Sequence, residues 1–311
     1  MTLAILSVLA GVGLLAYAAD QFVIGAARIA LIRKISPLAV GVVIVGFGTS
    51  SPELLVSVFA ASSGDAPVAI GNIVGSNIAN LTLLLGIGAL IFPLAVESKT
   101  VRREAPLTVV ATLAFAVTVQ GGVSLWEGLV LLAAMAAVIG FVMRNGKGDP
   151  LAAETDEFAD ARTHRLSTET IRTVLGLIGT LGGAQLLLGG ALDLAALAGL
   201  DDGFVGATLV AVGTSLPELV TVIQSARRRE GDLILGNLLG SNIFNALAVG
   251  GLVGLFGRGA AVGSSLAVVA SGMAIGAAFV AWLLMKTGRT VSRWEGAGLV
   301  AVYPLAVFLL A

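Results

Sequence analysis

Two glutamates stand where acidic side chains are least expected. Of 19 acidic residues in the chain, Glu53 and Glu218 are the two near the middle of long apolar stretches. A carboxylate at the centre of a bilayer costs at least about 2.5 kcal/mol on insertion scales, so two at matching positions argue for function. Each follows a proline, Pro52 or Pro217, within GTSSPEL (48–54) and GTSLPEL (213–219). Proline offers no backbone donor and disturbs the turn before it. Carbonyls just upstream, including those of Thr49 and Thr214, therefore lose or strain their helical partners. At membrane depth such carbonyls are tolerated only where they face protein or a polar cavity. Thr49 and Glu53 are four residues apart, as are Thr214 and Glu218, so each pair shares a helix face. Ser50 and Ser215 stand three residues before their glutamates. A second pair of segments, GNIVGSNIAN (71–80) and GNLLGSNIFN (236–245), puts Ser76 beside Asn80 and Ser241 beside Asn245 in the same way. The set comprises two carboxylates, hydroxyls, amides and loosened carbonyls. These are hard oxygen donors, suited to Ca²⁺, Na⁺ or Mg²⁺ rather than zinc or copper. Mg²⁺ holds its water tightly and is rarely caged by protein alone, so Ca²⁺ and Na⁺ lead.

The elements that position these residues must lie in a membrane. The chain is 57% apolar and only 12% charged, with a mean hydropathy of +1.00. A soluble domain carries about 25% charged residues, so a soluble enzyme is excluded, as is a disordered chain. A net charge of -1 supplies no field for nucleic acid. With no Cys and one His, His164, thiolate sites and Cys or His catalysis have almost nothing to work with. A helix needs about 20 mainly apolar residues to cross. Apolar runs give ten: 2–25, 36–61, 67–93, 105–120 and 126–143, then 171–191, 203–225, 233–257, 261–285 and 294–311. The first run lacks the basic start of a secretory signal, so it reads as a span. With ten spans, 17 of the 18 Lys and Arg fall on one side, Arg258 alone on the other. Basic loops are cytoplasmic, which puts both termini outside.

The chain repeats itself. Residues 41–80 and 206–245 align without a gap at a separation of 165, with 16 of 40 positions identical. Shared Thr, Ser, Pro, Glu and Asn are not what two greasy helices match by chance. The connection after the first motif, SSGDAP (62–67), has no basic residue, whereas that after the second is RRREGD (227–232). The copies therefore enter the membrane from opposite sides. The expected fold is an all-α integral membrane protein of ten transmembrane helices in two inverted five-helix repeats, an architecture of secondary transporters. The expected division is 1–143, a cytoplasmic linker 144–170, and 171–311. Gly71/Gly75 and Gly236/Gly240 read as close-packing glycines. Asn72, Asn77, Asn237 and Asn242 are either ligands or interhelical hydrogen-bond partners.

The paired GTSxPE and GSNIxN segments resemble the alpha repeats of the cation/calcium exchanger superfamily, specifically its sodium/calcium exchanger branch. The resemblance covers both halves in the right order. It implies a ten-helix inverted-repeat fold, four central Na⁺ and Ca²⁺ sites and electrogenic exchange. Carried over residue by residue, it makes Glu53 and Glu218 shared ligands. Thr49, Ser50, Thr214, Ser215, Ser76 and Ser241 would add hydroxyl or carbonyl oxygens, with Asn80 and Asn245 between them and backbone oxygens near Gly46 and Ala211 at the flanks. Several relatives carry Asp where this chain has Asn245, which argues against potassium dependence and leaves proton coupling and stoichiometry open. No cofactor is implied, and the substrates are Ca²⁺ and Na⁺. The lipid bilayer is the surroundings, and no nucleic acid or protein partner is expected.

Spans one and six, Gly-rich and poor in ligands, are the expected mobile pair; Asp20 is a candidate for the gating surface, although a plain helix-end charge is the favoured reading of it. A proton/calcium exchanger shares the fold, and a channel would also use carboxylates, but antiparallel duplication favours alternating access. The nearest phosphate-loop lookalike, GFVMRNGKG (140–148), has the wrong glycine spacing and no Ser or Thr after Lys147, so no enzyme is expected. The charged stretch 144–170 lacks EF-hand spacing and reads as a solvated linker in a prokaryotic cytoplasmic-membrane protein.

Overall fold

The computed structural model describes residues 1–32, 49–96, 99–145, 165–229, 231–257 and 264–310. Gly46, the side chain of Asp20 and most of the expected linker lie outside the described residues. In chain order the helices are α1 (Thr2–Ile32), α2 (Ser51–Ser62) and α3 (Ala66–Ala79), the last continuing through a π turn at Asn80–Leu84 into α4 (Leu85–Ile91). They are followed by α5 (Lys99–Val119) and α6 (Leu125–Asn145). The second half begins with α7 (Leu166–Ala198) and α8 (Asp202–Val205), and a π turn at Gly206–Val210 leads to α9 (Ala211–Thr214) and α10 (Leu216–Arg228). Then α11 (Gly231–Phe244) runs through a π turn at Asn245–Val249 into α12 (Gly250–Phe256), before α13 (Ser264–Gly288) and α14 (Arg293–Leu310).

Every expected span meets a helix or a broken helix, the second from Thr49 onward. Ala66–Ile91, Leu166–Ala198, Ile234–Phe256 and Val268–Gly288 are each long and apolar enough to cross alone, and Gly203–Thr214 with Leu216–Arg227 does so as a pair bent by 44°. Two corrections concern length. The first span runs to Ile32 rather than 25, and the sixth to Ala198 rather than 191. The sixth ends where Gly199 takes a left-handed φ of 64° and its N–H reaches Ala195 O, a stop that glycine makes without strain. A two-residue ladder, β1 (Leu94–Ala95) against β2 (Thr290–Val291), joins the connections after α4 and α13.

The two halves are built into one another. The principal contacts cross between repeats: α1 with α7, α5 with α13, α4 with α14, and α6 with α12. The last two are related by the repeat. A Cβ on Gly128 would come 2.6 Å from Gly251 O, and one on Gly296 would come 2.9 Å from Gly86 O. Each of these helices opens on the same short motif, SLWEG (124–128) or SRWEG (292–296). In both, Ser and Glu close a capping box, with Glu127 Oε2 accepting from Ser124 N at 2.8 Å and Glu295 Oε2 from Ser292 N at 2.7 Å. Trp126 and Trp294 are 75% and 88% exposed, and tryptophan is a side chain that membrane–water interfaces favour.

The pair α1 and α7 meets along small residues seven apart: Ala4, Gly11, Ala18 and Gly25 against Gly176, Gly183 and Gly190. At Gly183 a Cβ would lie 2.6 Å from Leu15 N, so the backbones touch. The stripe ends at buried Glu169, held by Arg28 and Arg172 at 3.4 Å each. Beyond each other, these two helices lean mainly on α2 and the broken segment α8–α10.

Candidate functional site

Both glutamates sit in the first turn of a new helix, not within a continuous one. The chain breaks at Ser50 (φ -89°, ψ 11°) and at Ser215 (φ -83°, ψ 10°), and each proline falls in the opening turn that follows. There its missing N–H costs nothing and its fixed φ suits the helix. Glu53 and Glu218 thus lie at helix N-termini, where the backbone dipole favours an anion. The expectation of a proline-loosened turn is met by a clean break.

The spacing of Ser50 to Glu53, and of Ser215 to Glu218, would allow a local capping box. Neither serine caps its own helix. Ser50 Oγ donates instead to Glu218 Oε1 at 3.2 Å, and Ser215 Oγ donates to Glu53 Oε1 at 3.0 Å. The threonines are exchanged likewise: Thr49 Oγ1 donates to Asn237 Oδ1 (3.2 Å) and Thr214 Oγ1 to Asn72 Oδ1 (3.1 Å). Asn72 Nδ2 in turn donates to Ser57 Oγ at 2.9 Å and Glu53 O at 3.4 Å, tying α3 to α2. Asn77 and Asn242 donate to each other's carbonyl at 3.5 and 3.4 Å, and Asn80 Nδ2 donates to Asn242 Oδ1 at 3.1 Å. Asn72, Asn77, Asn237 and Asn242 therefore all take part in interhelical bonds, while Asn77 Oδ1 is left without a partner.

The ten expected site residues come from four segments, and hydrogen bonds cross between the two repeats among them. Thr49, Ser50 and Glu53 come from the start of α2, and Ser76 and Asn80 from the end of α3. Thr214, Ser215 and Glu218 come from the α9–α10 break, and Ser241 and Asn245 from the end of α11. Thr49 Oγ1 lies 3.5 Å from Ser241 Oγ, and Ser76 Oγ lies 3.5 Å from Ala211 O. Glu53, Glu218, Ser50, Ser76, Asn80, Thr214 and Asn245 have no exposed surface. Neither glutamate has an ion-pair partner among the described residues. Glu53 Oε2, Glu218 Oε2, Asn77 Oδ1, Asn80 Oδ1 and Asn245 Oδ1 are buried oxygens without a hydrogen-bond partner. A buried acceptor left unmatched costs about 1–3 kcal/mol, more if charged. A cluster of them around two unpaired carboxylates has the chemistry of a dehydrated cation's shell.

The π turns begin at Asn80 and Asn245, one repeat apart. The extra residue in each re-aims the side chain at its start, a recurrent device at functional sites. The sequence carried no separate signal for them. The paired SxWEG motifs, by contrast, were readable as a second repeat.

Two inverted repeats, broken helices and buried oxygens at their crossing define a secondary transporter of cations. The family model described as sodium/calcium exchanger protein matches residues 3–144 and 169–311, and the chain belongs to that family. It is 31% identical over 340 residues to "Sodium/calcium exchanger MaX1" of Methanosarcina acetivorans, covering 97% of each chain. It is 34% identical over 267 residues to "Inner membrane protein YrbG" of Escherichia coli, covering 83% of this chain and 82% of that one. Its structure resembles that of the sodium-calcium exchanger NCX_Mj with a TM-score of 0.68 at 30% identity, covering 99% of both chains.

Proposed function

We propose that Glu53 and Glu218 jointly hold the transported cation, and that Na⁺ and Ca²⁺ exchange across the membrane by competing for their oxygens. The observation that carries this is the crossed pair of Ser-to-Glu bonds around unpartnered carboxylate oxygens. Two negative charges match one Ca²⁺. Na⁺ entering beside Thr49, Ser76, Thr214, Ser241, Asn80 or Asn245 draws on the same two anions, so the cations exclude one another. Without a cation the site leaves two buried charges unpaired, a costly state to carry across the barrier. Occlusion therefore requires a load, which makes the protein an exchanger rather than a leak.

The moving part is α1 with α7. The support for this is their smooth small-residue seam and their contacts with α2 and α8–α10, the elements bearing both glutamates. The basic loops support termini outside the membrane, and the short linker 144–170 between repeats 1–143 and 171–311 supports a prokaryotic cytoplasmic-membrane protein. The test is calcium-45 uptake into proteoliposomes, with an outward Na⁺ gradient set against an equal pH gradient. Uptake driven by Na⁺ alone is the expected result, and uptake driven by protons alone overturns Na⁺ coupling.

A further inference from the structure

Away from the ion site, a cavity of about 340 Å³ opens between the start of α5 and the end of α13, beside the β1–β2 ladder. Arg102, Lys286 and Arg289 line it, against Pro106, Trp282 and Met285. No acidic side chain is among its described lining residues, and these three cations form no ion pair among the described residues. Two described basic neighbours are occupied otherwise. Arg103 lies 3.7 Å from Glu104 and stacks over Phe141, and Arg293 donates to Ile91 O at 3.4 Å.

Helix electrostatics explain only part of the cluster. Lys286 in the last turn of α13 complements that helix's dipole, but Arg102 lies in the first turn of α5, where the dipole opposes a cation. Pro106 has no N–H for the Arg102 carbonyl, which opens that turn. Arg289 takes a left-handed φ of 50° although Gly288 precedes it, and its carbonyl is fixed by Val96 N at 2.8 Å. A glycine would hold this turn at less cost, so the arginine side chain is what the position retains. The Lys286 ammonium stands 5.1 Å from the Trp282 ring centroid, aligned at the cavity wall. From this mouth the apolar surface continues along exposed Phe279, Val280 and Leu283 of α13 and Val110, Leu113 and Val117 of α5.

We propose that this cavity binds the phosphate headgroup of an anionic phospholipid, whose acyl chains lie along the exposed apolar faces of α5 and α13. Three cations that form no ion pair among the described residues, at the end of a lipid-facing helix pair, match that molecule in both charge and shape. Basic pockets between transmembrane helices recognise headgroups in this way.

The test is native mass spectrometry of the delipidated full chain, titrated with phosphatidylglycerol, phosphatidylcholine or glycerol 3-phosphate. One phosphatidylglycerol per chain is expected to be retained in preference to the other two. Neutralising each cation should weaken it about fivefold, and Arg102→Gln/Lys286→Gln/Arg289→Gln together about a hundredfold. Arg227→Gln/Arg229→Gln, exposed arginines outside the cavity, should leave it unchanged. Lys286→Gln alone gives the same reading if the triple variant does not fold. The proposal is overturned by a cavity variant that binds like the parent, by an equal loss in the Arg227/Arg229 variant, or by equal retention of phosphatidylcholine. Equal binding of glycerol 3-phosphate would make this a soluble-anion site and overturn the lipid assignment.

Discussion

Replacing either glutamate by glutamine changes one charge and almost no volume, which makes Glu53→Gln and Glu218→Gln the most informative pair of variants. Both side chains are fully buried, and each receives one serine hydroxyl from the opposite repeat, at 3.0 and 3.2 Å. The glutamine carbonyl oxygen can keep that serine bond. In the proposed site its amide puts a donor where Oε2 would face the cation, which removes a ligand and adds a repulsive dipole. The charge balance fails as well, since a single carboxylate against Ca²⁺ leaves one uncompensated positive charge in a buried site. Removing one member of a buried charge pair costs about 3–5 kcal/mol, or from about a hundredfold to a few thousandfold in Ca²⁺ affinity. Na⁺ at the shared position is still neutralised by the remaining carboxylate, so its affinity should fall less. Because the two environments are related by the repeat, the two variants should agree within about tenfold. Equilibrium calcium-45 binding to purified protein, with sodium competition, measures each quantity. Parental Ca²⁺ affinity in either variant would refute the shared-carboxylate site, and a much larger loss in one variant would refute its symmetry.

Three further outcomes follow from the packing. Ser50→Ala and Ser215→Ala each remove one hydrogen bond to a buried carboxylate and should lower the cation-free protein's stability by about 1.5–3 kcal/mol; thermal unfolding in chelator checks this, and added Ca²⁺ should recover part of the loss. Gly183→Val drives a side chain into the Leu15 backbone, destabilising by about 1–3 kcal/mol, and transport in proteoliposomes should collapse while membrane insertion persists. Glu127→Ala and Glu295→Ala open matching capping boxes and should each cost about 0.5–2 kcal/mol in detergent melts, with ion affinity unchanged.

Much of this was legible because polar residues in an apolar chain are scarce enough to be read one at a time. Glu53 and Glu218 marked the site, and their shared neighbours marked the repeat. Span ends were less legible. Asp193 made the sixth apolar run look finished at 191, although the helix continues to the glycine stop at Gly199. The direction of Ser50 and Ser215 was hidden because the same spacing serves a local cap, and only the packing of the halves sends each hydroxyl across. The π turns at Asn80 and Asn245 were invisible for a related reason, since an inserted residue in a helix leaves the apolar pattern nearly intact. The asparagines were ambiguous because an amide serves a cation and a neighbouring helix with the same atoms.

The crossed serine caps bear on how such a chain could have arisen. Each glutamate is completed by a hydroxyl from the other half, and Asn77 and Asn242 bind each other's backbone. A single five-helix half therefore has no finished copy of the proposed ion site. Before duplication, a half-length ancestor would have needed a second copy inserted upside down beside it, each subunit capping its mate's carboxylate. Gene fusion would then join two subunits of opposite membrane orientation into one chain and free each copy to diverge.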